Sequence, residues 1–170
     1  MNTHVARIRL LAGAVLLGSL WLNSLAIAET TTLHQYGYWA STIDADDSGH
    51  RACGVRTEMK GGGELRLVVL YNDVHLVAHD PDWNMRRGET LPVRVDIDGA
   101  GFNGIARVVN SQTLMVTDLT VQFLDQFVDG TQMVANFAGI RWNVSLIGST
   151  RAVEDMHSCM ATLRRPSPMS

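Results

Sequence analysis

The sequence predicts a mainly β or α+β fold, an antiparallel β-sandwich or sheet of about eight short strands with two helices, one of them C-terminal. Segments in which apolar and polar residues alternate recur between residues 36 and 147, as in Glu64 to Tyr71 and Leu91 to Asp98. Short turn-forming stretches separate these segments, and helical spacing of apolar residues occurs late in the chain. This order favours strands joined by hairpins.

The first half of the chain is predicted to form four strands. A polar segment from Thr30 to Gln35 is expected to be loose, and aromatic and β-branched residues favour a first strand from Tyr36 to Ile43. Arg51 to Met59 is the second strand. Glu64 to Tyr71 and Val74 to His79 then form a hairpin, because the Asn-Asp pair between them tolerates the conformation of a tight turn.

Five further strands follow the same alternation. Leu91 to Asp98 is expected to pair with Phe102 to Val109 through a glycine-containing turn, and Thr113 to Thr117 is a short strand after them. Thr131 to Ala138 and Arg141 to Ile147 return to alternation after a helical segment.

Two helices are indicated by apolar residues at helical spacing. The first runs from Leu119 to Val128, with Asp118 as its N-cap and Gly130 as its stop. The second has Ser149 as its N-cap, and its apolar stripe includes Cys159. The last helix is therefore expected to present this cysteine to the sheet.

Residues 1–28 have the pattern of a secretory signal. Arg7 and Arg9 supply positive charge, Leu10 to Leu22 is apolar, and Ala26 and Ala28 form a small-x-small cleavage site. The alternative, an uncleaved anchor helix, is disfavoured because a span needs about 20 apolar residues. A single β-rich domain is then expected over residues 29–163, with a flexible tail over 164–170.

Composition argues against two classes of partner. The chain carries 14 basic and 17 acidic side chains, a net charge of −3, and Lys60 is the single lysine. Nucleic-acid binding requires clustered basic residues, and electrostatic docking on a membrane requires a polybasic segment. We therefore expect neither a nucleic-acid partner nor electrostatic docking on a membrane. Because no second apolar stretch is long enough to span, no stable membrane span is expected after removal of the signal.

Two cysteines, Cys53 and Cys159, lie after the signal segment. In an exported protein an even number of cysteines favours a disulfide, although two reduced thiols or an intermolecular bridge are alternatives. The expected location is periplasmic or secreted. No sequence pattern for a metal or cofactor is present, so no cofactor is expected.

The loop from Trp83 to Glu89 is the preferred candidate for binding. It combines Trp83 with Arg86 and Arg87, and tryptophan and arginine are the residue types that dominate interface hot spots. The expected partner is a protein or peptide with acidic groups, since arginine binds carboxylates well. In the alternative interpretation Trp83 closes the end of the core and both arginines are solvated.

Other functions are indicated more weakly. His75, His79 and Asp80 could form the acid–base pair of an envelope hydrolase, although no nucleophile motif accompanies them. Along a strand, His75 and His79 would lie about 13 Å apart, too far to share a metal ion. Asp44 to Gly49 resembles half of a calcium loop but lacks the closing glutamate, which favours a solvated turn. A structural envelope protein without a dedicated ligand is a third possibility.

Five features resemble the invasion-associated locus B group of small periplasmic bacterial proteins. They are Trp39, Cys53, the strand and turn at Leu91 to Gly99, the helix and strand at Leu119 to Phe137, and the closing segment Arg141 to Cys159. The chain differs from that group in lacking a central pair of cysteines. The resemblance implies a β-rich exported domain linked to host-cell or envelope interactions, without known catalytic residues. It supplies no site residues.

Overall fold

The computed structural model describes residues 29–45, 50–70, 73–137 and 139–164. The predicted signal segment lies outside these residues, as do most of the predicted tail, residues 46–49 of the calcium-like segment and part of the predicted turn before Val74. Within the described part of the chain, no helix is long and apolar enough to cross a membrane.

The described residues form ten strands and two helices. In chain order they are β1 (Glu29–Tyr36), β2 (Trp39–Ala45), β3 (Arg51–Glu58), β4 (Glu64–Leu70), β5 (Asp73–His79), β6 (Thr90–Ile97), β7 (Ala100–Asn110), β8 (Thr113–Val116), α1 (Val121–Asp129), β9 (Gln132–Phe137), β10 (Ile140–Ser145) and α2 (Ser149–Leu163).

All ten strands belong to one antiparallel sheet with the order β1-β2-β3-β4-β5-β8-β7-β6-β9-β10. The sequence predicted either a β-sandwich or a single sheet, and the structure has a single sheet. It contains ten strands, whereas about eight were predicted. The mainly β fold and the C-terminal helix are confirmed. Strands β1 to β5 follow the chain, whereas β8 is inserted between β5 and β7, and β6 pairs with both β7 and β9.

The predicted first strand, Tyr36 to Ile43, is wrong because a hairpin turn divides it. Gly37 and Tyr38 form the turn, and Gly37 adopts a φ of +60°, which glycine tolerates best. The segment expected to be loose, Thr30 to Gln35, is instead part of β1. Most side chains of this edge strand are exposed, so it lacks the apolar alternation that identified the other strands.

The core lies between the inner face of the sheet and the two helices. Phe123 and Phe127 of α1 are fully buried. The ring of Phe127 packs edge-on against Trp39 at 4.9 Å, and that of Phe123 packs against Phe102 at 5.2 Å. One turn of α1 therefore joins the first hairpin to β7.

Two hydrogen bonds connect the β1–β2 turn to the end of β10. The amide of Tyr38 donates to the carbonyl of Ile147 at 3.2 Å, and the indole N–H of Trp39 donates to the carbonyl of Ser145 at 2.8 Å. Elements from opposite ends of the sheet order thus meet, which requires the sheet to curve around its core.

Asp98 fixes the β6–β7 turn against the start of β9. Its carboxylate accepts hydrogen bonds from the amide and hydroxyl of Thr131 and from the amide of Gln132, at 2.7 to 3.0 Å. The bond from the Thr131 amide is the main cause of a lowered pKa for Asp98. This contact anchors the long-range pairing of β6 with β9.

The predicted N-caps, Asp118 for α1 and Ser149 for α2, are both wrong. Thr120, rather than Asp118, caps α1, and its hydroxyl accepts from the amide of Phe123 at 3.2 Å. Gly148 is the N-cap of α2. The hydroxyl of Ser149 is buried and donates to the carbonyl of Phe127 at 3.1 Å, so it joins the helices instead of capping one.

The predicted disulfide is confirmed. Cys53 of β3 and Cys159 of α2 are bonded across 106 positions of sequence, with Cα atoms 6.1 Å apart. Cys53 is fully buried, and Cys159 lies at the edge of the core. The bond fastens the last helix to the third strand.

Replacing both cysteines with alanine should lower the free energy of unfolding by about 4 kcal/mol, because a cross-link of this span restricts the unfolded chain. Urea titration of the variant measures the change. Reduced wild-type protein is the matched comparison and should show a similar loss. An unfolding midpoint unchanged in both samples would contradict this account.

Candidate functional site

The loop between β5 and β6 is held at several points by the β7–β8 hairpin. The amide of Met85 donates to the carbonyl of Ser111 at 2.9 Å. Further along, Gly88 donates to the carbonyl of Val108 at 2.9 Å, and the amide of Val108 donates to the carbonyl of Glu89 at 2.8 Å. The predicted binding loop is therefore a fixed structural element.

Trp83 lies in the core with 9% of its surface exposed. Its ring stacks on Trp142 of β10, with centroids 5.4 Å apart and planes 13° apart. It also meets Phe137 of β9 edge-on at 6.1 Å. Trp83 thus closes one end of the core, as the alternative interpretation of the sequence expected.

A cavity of about 670 Å³ lies beside this loop. Its volume falls within the range of about 300–1,000 Å³ that is usual for ligand sites. The apolar part of its lining is Trp83, Met85, Leu91, Leu114, Phe137 and Ile140. The polar part consists of four exposed side chains, Asp82, Asn84, Arg86 and Glu89.

Of the three predicted binding residues, the structure brings two to this cavity. Trp83 and Arg86 line it, whereas Arg87 is exposed in the same loop outside the lining. Neither arginine has a hydrogen-bonding or ion-pairing side-chain partner among the described residues. Arg86 is therefore available to a carboxylate that enters beside an apolar surface.

The wall of the cavity includes a residue with an unused donor. The indole N–H of Trp83 is buried, and within the described part of the chain it has no hydrogen-bond partner. Native proteins retain few such groups, and each costs about 1–3 kcal/mol. The fold thus tolerates an unsatisfied polar atom next to the cavity.

The part of the cavity lining that lies outside the loop had no signal in the sequence. Leu114, Phe137 and Ile140 belong to β8, β9 and β10, and they meet the loop through the order of strands in the sheet. Each of these residues looks in sequence like an ordinary strand residue. Trp83 and Arg86 were found because the loop concentrates residue types that are common in binding sites.

The residues proposed for a hydrolase make separate contacts. His75 and His79 both lie on β5, and the Nδ1 atom of His79 is 3.1 Å from the hydroxyl of Thr113. Asp80 accepts from the amide of Asp82 at 2.9 Å, which shapes the following turn. Across the described ranges, no group of three or more histidine, cysteine or acidic side chains could hold a metal ion.

A cluster around Asp155 was missed from the sequence. Its Oδ2 atom accepts from the hydroxyl of Ser41 and lies 2.8 Å from Nδ1 of His34. The cluster joins α2 to β2 and β1. Asp155 lies more than a hundred positions from both Ser41 and His34, so no local motif could identify the cluster.

The cluster has the chemistry of a structural clamp. Burial opposes ionisation of Asp155, but the hydrogen bonds from Ser41 and His34, with the attraction of His34, lower the pKa of the carboxyl overall. Ser41 is fully buried and bonds to the carboxylate instead of the imidazole. A hydrolytic triad would require the serine hydroxyl on the histidine.

Outer-face residues of β6, β9 and β10 form a second, polar concavity of about 340 Å³. Arg94 and Arg141 each lie opposite Asn136 in the strand register, one on either side of it. The guanidinium of Arg94 rests over Gly101, where a Cβ atom would come within 2.8 Å of it. Arg141 is exposed and has no side-chain partner in the described ranges.

Comparison with known proteins supports the fold. No family model matches the sequence, and no curated protein matches it. The crystal structure of invasion associated protein B from Bartonella henselae matches this chain with a TM-score of 0.54 and 13% identity, covering 79% of this chain and 99% of that one. At this identity the likeness shows the fold, and it confirms the sequence resemblance at that level.

Replacing Asp155 with asparagine should lower the free energy of unfolding at pH 7 by about 1–2 kcal/mol, because a charged hydrogen-bond acceptor is lost. The pKa of Asp155 is lower in the folded protein, so its contribution is complete above the ordinary pKa of an aspartate. It is lost as the pH falls through the lowered value. The difference in free energy of unfolding between Asp155→Asn and the wild type should therefore become smaller below about pH 4.

Urea titrations at several pH values measure this difference. Asp125→Asn is the matched control, since Asp125 lies exposed on α1 and should show no comparable loss. A difference for Asp155→Asn that stayed constant down to pH 2 would contradict the clamp.

Proposed function

We propose that this chain is an exported, non-enzymatic binding protein of the bacterial envelope, and that its ligand is a protein or peptide segment with acidic and apolar side chains. The observation that carries the proposal is the cavity beside the β5–β6 loop. There an apolar surface adjoins Arg86, whose guanidinium has no partner among the described residues.

The two parts of the cavity suit two parts of one ligand. Burying an apolar side chain against Met85, Phe137 and Ile140 supplies a hydrophobic contribution of about 25 cal/mol per Å². A carboxylate of the same segment can bind Arg86 through charge-assisted hydrogen bonds. Asp82 and Glu89, which also line the cavity, disfavour ligands with several closely spaced negative charges.

Two observations support export. The first 28 residues carry the pattern of a secretory signal, and Cys53 is bonded to Cys159. Stable disulfides are typical of periplasmic and secreted proteins. The shared fold with invasion associated protein B, together with the sequence resemblance, supports placing the chain in the invasion-associated locus B group.

The binding site is tested by photocrosslinking in the intact producing cell. A photoreactive amino acid replaces Asn84, an exposed residue of the cavity lining, and the adducts are quantified by mass spectrometry. Arg86→Glu should reduce the yield of a specific adduct at least about tenfold, because a favourable charge pair becomes repulsive. Arg151→Glu makes the same change of charge on an exposed face of α2 and should leave the yield unchanged.

Equal adduct yields from the wild type, Arg86→Glu and Arg151→Glu would show that the cavity does not select the partner. The Ile140→Glu variant provides a second check, since it places a charge in the apolar lining without altering the loop. This variant should also reduce the yield.

A further inference from the structure

Among the described strands, β10 forms one end of the sheet and pairs with β9 alone. Its other edge is directed away from the sheet. Edge strands present unpaired N–H and C=O groups that can accept another strand, and proteins normally protect them. Part of this edge is protected in the described structure.

Three hydrogen bonds establish in which direction the backbone groups along β10 point. The amide of Leu146, the residue after the strand, donates to the carbonyl of Thr131 on the β9 side at 2.9 Å. The carbonyls of Ser145 and Ile147 instead accept bonds from the β1–β2 turn. Because the direction alternates along an antiparallel strand, the backbone groups of Arg141 and Asn143 point away from β9.

The edge is therefore divided into two parts. The indole of Trp39 and the amide of Tyr38 occupy the outward carbonyls of Ser145 and Ile147. The backbone groups of Arg141 and Asn143 have no bond to any other described residue on that side, and both residues are exposed. The open stretch from Ile140 to Asn143 is about 10 Å long.

The two sides of this open edge differ in chemistry. On the inner side, Ile140 is 44% exposed and lines the cavity together with Phe137 and Trp83. On the outer side, Arg141 and Arg94 border the polar concavity. An added strand would direct successive side chains alternately to these two sides.

We propose that the open edge of β10 accepts an extended segment of the partner protein as an additional strand. The segment places apolar side chains toward the cavity and an acidic side chain toward Arg141. This inference rests on the proposed function and specifies how the same ligand is bound. Backbone hydrogen bonds supply a sequence-independent part of the affinity, and the two different sides supply the preference for an alternating apolar and acidic pattern.

Charge complementarity determines the occupant. Arg141 has no side-chain partner in the described part of the chain, whereas Arg94 is 3.9 Å from Asp96 and 3.4 Å from Asn103. Arg141 also lies directly beside the outward backbone groups. A carboxylate on the added strand can therefore reach Arg141 without breaking an existing pair.

The test uses a display library of random nine-residue peptides selected on the oxidised protein. Enriched peptides should alternate apolar and acidic residues. Their affinities are measured by fluorescence anisotropy for Asn143→Pro, Asn143→Ala, Arg141→Glu and Arg86→Glu. Asn143→Pro removes an N–H that points away from β9, so it leaves the ladder to β9 intact. It should weaken binding at least about tenfold, whereas Asn143→Ala, which keeps the N–H, should bind as wild type does.

Arg141→Glu should lower the affinity for alternating peptides that carry acidic residues. It should leave unchanged the affinity for peptides whose acidic residues are replaced by glutamine. Thermal unfolding confirms that each variant is folded. If Asn143→Pro does not fold, the same question is tested with ligand peptides that carry N-methyl groups on alternate backbone amides. Methylation of the amides that face β10 should abolish binding, and methylation of the intervening amides should not.

Three outcomes would overturn the inference. Peptides that lose affinity for Arg86→Glu but bind Asn143→Pro normally would leave the cavity proposal standing and exclude the added strand. Failure to enrich any alternating peptide would exclude an extended segment as the occupant of the edge. The cavity is tested separately by the photocrosslinked adduct at residue 84. A dimer of the isolated protein that Asn143→Pro converts to a monomer would assign the edge to a second copy.

Discussion

The buried indole of Trp39 connects parts of the molecule that are far apart in sequence. Its ring packs on Phe127 of α1, and its N–H donates to the carbonyl of Ser145 at the end of β10. A buried hydrogen bond of this kind is costly to leave unmade, so the indole fixes how closely the first hairpin approaches the last strand. The curvature of the sheet depends on this approach, and so does the length of open β10 edge.

The last helix is held by two attachments of different chemistry. The disulfide to Cys53 is covalent and responds to reduction, whereas the hydrogen bonds from Ser41 and His34 to Asp155 respond to acid. The two attachments lie within one turn of α2, on the same apolar stripe that covers β1, β2 and β3. The helix is therefore fastened to β3 through one attachment and to β1 and β2 through the other.

Much of the fold could be predicted because the strands from β3 to β6 have one buried face and therefore alternate. Val55, Leu67 and Leu76 are buried at neighbouring positions of three strands, which is the pattern that the sequence displays. The disulfide followed from export and from an even number of cysteines. The first hairpin was missed because an exposed edge strand needs no apolar alternation, and its turn differs from ordinary strand sequence in little more than Gly37.

The order of the strands and the composition of the cavity could not be predicted for a different reason. Both depend on pairing between segments far apart in the chain, such as β5 with β8 and β6 with β9. Alternation indicates which face of a strand is buried, but it does not indicate the neighbouring strand. Trp83 and Arg86 could be selected as a candidate site from one loop, whereas the opposite wall, at Phe137 and Ile140, required the folded sheet.

The fixed position of the β5–β6 loop bears on how a ligand would bind. The amides of Met85 and Gly88 donate to the β7–β8 hairpin and the carbonyl of Glu89 accepts from it, so the loop is held along its length. Ordering a mobile loop reduces affinity, so a loop that is already fixed leaves more of the interaction energy for binding. The open part of β10 is short, and a strand of about four residues forms few backbone bonds. Selectivity must therefore come from the rigid apolar cavity on one side of the edge and the arginines on the other.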